Sequence, residues 1–174
     1  MMSIKIITSI LIVGCSTLLG LQAGSRYITR VKEIRMLQII FAQLETEILH
    51  YSTFLPEAIE KISYATQGAL KEFFLEFAHR LHSRTGDTAA DVWEEVLEKW
   101  RKYFSMDREE YEILLRFGKV LGASDKEGQL RYFHLIQAQL KKQEKKAEEA
   151  RSKYERMYRS LGLLGGLALA IILF

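Results

Sequence analysis

The residues whose types and spacing come nearest to chemistry are Glu76, His79 and His82. On one helix, steps of three put them on neighbouring turns of a shared face, a set that could ligate a divalent metal. Arg80 and Arg84 flank them, which favours an ordinary solvated surface instead. The adjacent carboxylates Glu94-Glu95, Glu109-Glu110 and Glu148-Glu149 point about 100° apart in a helix, so none is an acid/base dyad. There is no phosphate-binding glycine loop, no HExxH and no GxSxG, and Gly118, Gly122 and Gly128 lack the strand context such loops need. Cys15 is the sole cysteine, which excludes an internal disulfide and a cysteine-based zinc site. The reading assigns no catalytic, cofactor-binding or metal residue and expects no enzyme.

The elements that would position any functional group are helices. The chain has 174 residues and one proline, Pro56, with few turn clusters. Its net charge of +3 is too small to imply nucleic acid. Charge is unevenly placed. Every charged side chain except Lys5 lies between Arg26 and Arg159, leaving two apolar ends.

Ile4 to Ala23 has about the 20 residues needed to cross a bilayer. Leu161 to Phe174 is uncharged but shorter than the ~17 residues usually required. Met157 and Tyr158 extend it if Arg159 snorkels. The basic residues Arg26, Arg30, Lys32 and Arg35 follow the first apolar run, and Arg151, Lys153, Arg156 and Arg159 precede the second. That asymmetry predicts a hairpin with both termini outside and the intervening domain in the cytoplasm. Against anionic head groups such residues contribute ~1 kcal/mol each. Gly162, Gly165 and Gly166 would permit close packing on a first span carrying Gly14, Gly20 and Gly24. Ile12 to Cys15 also resembles a lipobox, so the rival reading is an exported lipoprotein with an extracytoplasmic helical bundle. The apolar run continuing through Leu18, Leu19 and Leu21 argues against it. A metal-dependent enzyme on a membrane anchor is the third reading.

Between the ends, periodicity predicts six helices. The first covers about 29–51, with Leu37, Phe41, Leu44, Ile48 and Tyr51 as a seam. Ser52 or Thr53 would cap a second, with Pro56 in its first turn and Ile59 and Ile62 inward. A third carries Leu70, Phe73, Phe74, Phe77 and Leu81, stopping at Gly86. Asp87 or Thr88 would cap a fourth, bearing Val92, Trp93, Val96, Leu97 and Trp100. Asp107 would cap a fifth, with Tyr111, Leu114, Leu115, Phe117 and Leu121. The sixth starts after a turn at 122–125 and runs unbroken to the end. Its seam is Leu130, Phe133, Gln137, Leu140, Glu144, Ala147, Arg151, Tyr154, Tyr158 and Leu161. Glu144 and Arg151 interrupt that seam and either are solvated or face polar partners. The expected fold is an all-α antiparallel six-helix bundle (25–158) between an N-terminal (1–24) and a C-terminal (159–174) membrane helix.

Three segments carry a family resemblance: LETEILHYSTFLPEAIEKIS (Leu44 to Ser63), FGKVLGASDKEGQ (Phe117 to Gln129) and KYERMYRSLGLLGGLALAIILF (Lys153 to Phe174). With them the chain resembles the stage III sporulation protein AB family of endospore-forming bacteria. That family looks related to the platform protein of type II secretion and type IV pilus machines, which usually carries two such domains and more spans. The resemblance implies a non-enzymatic part of a channel between mother cell and forespore. It implies the mother-cell membrane around the forespore as location, a stage III sporulation protein AA-like ATPase as cytoplasmic partner, and the other channel subunits as membrane partners. A single domain with two spans raises homo-oligomerisation as the route to a full platform. Candidate partner contacts are Pro56, Glu57, Gly122, Ser124, Asp125 and Gln129, which lie in these segments outside the apolar seams. Capping and turn formation explain Pro56, Ser124 and Asp125 equally well.

Overall fold

The structure is a computed structural model. It describes residues 2–83, 86–121 and 126–173, without the side chains of 2–10, 126, 127, 129, 170 and 173. Six α-helices are found and, among the described residues, no strand: α1 (Met2–Glu45), α2 (Leu55–Tyr64), α3 (Gly68–His82), α4 (Ala89–Trp100), α5 (Arg108–Gly118) and α6 (Lys126–Leu173). A π-helical turn, Thr46–His50, continues α1, and a 3-10 turn, Arg101–Tyr103, follows α4. The chain divides into two compact units, 32–145 and 1–31 with 146–174, and α1 and α6 each supply a segment to both.

Unit 32–145 is built around Trp93, which is fully buried. Its ring meets Phe73, Phe77 and Phe117 edge-on, with centroids 5.1, 5.0 and 5.5 Å away. Its indole N–H donates to the Leu114 carbonyl at 2.8 Å, satisfying the one polar atom such a core must accommodate. Phe41 of α1 meets Phe117 of α5 at 4.6 Å, and Phe133 of α6 meets Phe117 at 5.6 Å. Of the aromatics at core spacing, Phe41, Phe73, Phe74, Phe77, Trp93, Phe117 and Phe133 are thus core residues.

Two helix starts follow the sequence. Thr88 caps α4 in a box with Asp91, whose N–H donates to the Thr88 hydroxyl at 3.2 Å. Hydrogen bonds from Thr88 hold the Asp91 carboxyl below its usual range. Asp107 precedes α5, and its N–H donates to Glu110 at 2.8 Å. The cap of α2 is different from the expected Ser52 or Thr53. Phe54 stands at the cap with no side-chain bond, and Pro56 lies in the first turn. The Thr53 hydroxyl donates instead to the Glu47 carboxylate at 3.0 Å. Lys61 shares that carboxylate, and Ser52 takes a left-handed φ of 54° to make the bend.

The first seam holds through Leu37, Phe41 and Leu44, all fully buried, and then fails. Tyr51 is 70% exposed. The π turn is the reason. Tyr51 N–H reaches back five residues to the Thr46 carbonyl, and a wider turn rotates the apolar stripe off its course. The third helix ends at His82 rather than at Gly86. In α6, Phe133, Leu140 and Ala147 are buried as expected, whereas Leu130 is exposed and Ile136 and Gln143 are buried in addition.

The two expected membrane spans are not recovered: among the described residues no helix is long and apolar enough to cross a membrane. Arg156 and Arg159 close off the uncharged C-terminal stretch after a short run. For the N-terminal span, the side chains of residues 1–10, nearly half of segment 1–24, lie outside the described residues.

Candidate interaction surfaces

In the unit formed by 1–31 and 146–174, α1 and α6 touch backbone to backbone. A β-carbon added at Gly20 would lie 2.6 Å from the Tyr158 carbonyl oxygen and 3.0 Å from the Gly162 Cα. One added at Gly166 would lie 2.9 Å from the Val13 Cα. Only glycine allows this approach, and the Ser16 hydroxyl donates to the Gly162 carbonyl at 2.8 Å within it. Gly14 meets nothing, so its role in the expected glycine packing falls to Ser16. Further along the pair, Gly24 approaches the Glu155 Cα, and Tyr27 stacks on Tyr154 and Tyr158 at 5.1 and 6.1 Å.

This register fixes where charge stops. Arg26 lies next to the Tyr27–Tyr154 level and Arg159 next to the Gly20–Tyr158 level, close to two helical turns apart, and the Arg159 level is the line at which charge ends. Beyond that line the described side chains of both helices are uncharged, and Leu18, Leu19, Leu164, Ile171 and Ile172 point outward. On the charged side, Arg151 pairs with Glu148 and Glu155, and the Lys153 ammonium lies 5.3 Å from the Tyr154 ring centroid. Arg156 donates to the Ser152 carbonyl at 2.9 Å, Arg26 and Arg159 are exposed, and Arg30 is half-buried. The expected basic group is divided between the units, because Lys32 and Arg35 belong to 32–145.

Within 32–145, Arg35 and Gln38 both donate to Glu144, at 2.6 and 3.0 Å. Glu144 therefore meets polar partners, while Arg151 pairs along its own helix. The Arg35 and Gln38 bonds hold the Glu144 carboxyl below the usual carboxylate range. The same unit carries an apolar concavity of about 240 Å³ lined by Ile48, Phe54, Leu55, Val120, Leu121 and Tyr132, with Phe117 and Phe133 beneath. A second, of about 210 Å³, shares Phe117 and Tyr132 and extends to Leu135 and Arg116.

Of the expected partner contacts, Pro56 is half-buried and Glu57 exposed at the start of α2. Gly122, Ser124 and Asp125 lie outside the described residues, and Gln129 is on α6 with its side chain outside them. The metal-capable trio is dispersed in its bonding. Glu76 accepts from Lys99 and Trp100, each at 2.8 Å, while His82 lies 3.6 Å from Glu60.

The model of the family described as stage III sporulation protein AB matches residues 5–174. The chain belongs to the stage III sporulation protein AB family. It is 32% identical over 170 residues to the stage III sporulation protein AB of Bacillus subtilis (strain 168), covering 98% of this chain and 99% of that one. A solved structure of a stage III sporulation protein AB superposes with a TM-score of 0.68 at 30% identity, covering 72% of this chain and 98% of that chain. Two features of this family member escaped the sequence reading. Ser16 was unmarked because a hydroxyl in an apolar run carries no periodic signal. Phe54, Tyr132 and Leu135 were unmarked because a groove is assembled from three separate segments.

Proposed function

We propose that the chain is a non-enzymatic platform component of a secretion-like channel between mother cell and forespore. In this reading 25–158 is an antiparallel six-helix bundle in the mother-cell cytoplasm that binds a stage III sporulation protein AA-like ATPase. The helix ends, 1–24 and 159–174, anchor it in the membrane beside other channel subunits. The observation that carries the anchor is the charge boundary at the Arg159 level, beyond which the described side chains of both helices of a tightly packed pair are uncharged. Two short apolar helices held together are accommodated by local thinning of the bilayer and by association. Tyr27, Tyr154 and Tyr158 stacked beside that line, with Arg26 and Lys153, have the makeup of an interfacial belt.

Two measurements test it. With Cys15→Ser and Lys102→Cys, a membrane-impermeant thiol reagent should leave intact cells unlabelled and label opened ones. Labelling from outside would sink the cytoplasmic placement. The full chain in detergent should capture the ATPase, and failure with and without nucleotide would sink the coupling.

A further inference from the structure

We infer that the two adjoining concavities of unit 32–145 dock an acidic amphipathic helix supplied by a protein partner. The inference rests on the platform reading and names the surface and partner chemistry. The two hollows, about 240 and 210 Å³, share Phe117 and Tyr132 and so lie side by side, an elongated apolar trough for a helix laid across both. Its floor is preformed, because Phe117 is held by Phe41, Trp93 and Phe133. Its upper edge leaves large apolar groups in water: Phe54 is 75% exposed, Leu135 49% and Tyr132 43%. A trough of this kind receives the side chains at i, i+3 or i+4, and i+7 of a helix.

Charge selects the helix. Arg116 is on the lining, and Lys119 and Arg131 are next in sequence to the lining residues Val120 and Tyr132. All three are exposed, and among the described residues none has a carboxylate partner. Arg35, Lys61, Arg80 and Lys99 of the unit are by contrast paired, with Glu144, Glu47, Glu95 and Glu76. Among the described residues Glu112 is engaged by Arg108 at 2.8 Å and Glu45 by His134 at 3.3 Å, while Glu57 is exposed. An apolar trough beside three cations that have no carboxylate partner among the described residues is complementary to a helix with an apolar stripe flanked by Asp and Glu.

The test uses the full chain in detergent and two fluorescein-labelled helical peptides. Both carry leucines at i, i+3, i+4 and i+7, one with Glu on the flanks and the other with Lys. By anisotropy the Glu peptide should bind roughly tenfold tighter or more than the Lys peptide. Arg116→Glu with Arg131→Glu should reverse that preference, and Tyr132→Ala should weaken binding of the Glu peptide. Lys102→Glu, on the turn after α4, should change nothing, and circular dichroism should show all variants folded. Equal binding of the two peptides, or a preference indifferent to charge reversal, would overturn the inference. So would concentration-dependent self-association of the unliganded chain that the double reversal abolishes, since the trough would then hold a second copy. ATPase capture that survives the double reversal would sink this surface while leaving the platform reading intact. Loss of capture by the reversal alone would support both.

Discussion

The Ser16 hydroxyl donates to the Gly162 carbonyl at 2.8 Å at the place where α1 and α6 have no side chain between them. A carbonyl already bonded along its own helix accepts a second donor from the facing one. The bond therefore ties register to the glycine contacts. The pair cannot slide by a turn without placing a side chain where Gly20 or Gly166 now meets backbone.

Gly20→Leu should force the pair apart, because a β-carbon there would lie 2.6 Å from the Tyr158 carbonyl oxygen. Backbone cannot yield as a flexible side chain can, and such overpacking typically costs ~1–3 kcal/mol. The check is oxidative cross-linking in membranes of Ser16→Cys with Gly165→Cys, in a Cys15→Ser background. The Gly165 β-carbon position is 4.0 Å from the Ser16 hydroxyl, within reach of a disulfide after small adjustment. Adding Gly20→Leu should cut the cross-linked fraction several-fold. Unchanged cross-linking would refute the close contact.

Gly118→Ala should be among the most harmful single-methyl additions. Its β-carbon would overlap the buried Trp93 indole, 2.6 Å from Cγ and closer still to Cδ1. Trp93 has little room to move, since its N–H is fixed on the Leu114 carbonyl and phenylalanines surround it. A loss of ~1–3 kcal/mol is expected in urea unfolding followed by tryptophan fluorescence. A loss indistinguishable from zero would mean the helix contact is looser than described.

Phe41→Ala tests the part of the core that was readable from sequence. The three-and-four spacing of Leu37, Phe41 and Leu44 placed all three inside, because a regular helix keeps residues so spaced on one face. The same reasoning failed at Tyr51, where one π turn shifted the phase, and no residue type announces such a turn. It failed again at Ser52 and Thr53, since the Thr53 hydroxyl turns to donate to the Glu47 carboxylate and accepts no N–H of the helix start. The trough was illegible for a different reason: its walls come from the ends of α1, α2, α5 and α6, which only folding brings together. Because Phe41 is fully buried against Phe117, its truncation should cost ~3–5 kcal/mol. A midpoint shift worth less than ~1 kcal/mol in chemical denaturation would contradict that burial.

Glu144 offers a pH-resolved prediction. Its carboxyl is held below the usual range first by the hydrogen bond from Arg35 and then by that from Gln38. A depressed folded-state pKa means that the ionised form is favoured on folding. The stabilisation is therefore full above the unfolded-state value and disappears as pH falls through the folded-state value. Arg35 is about half exposed, at 52%, so solvent screening keeps the expected contribution under ~1 kcal/mol. Glu144→Gln keeps a similar shape but removes the charge, so at neutral pH it should melt slightly below the parent. The two melting curves should converge as the medium is acidified below the carboxylate range. High salt should also narrow the gap, because a half-exposed pair is screened. A gap that persists unchanged in acid would show that the side chain acts through packing and not through the Arg35 bond.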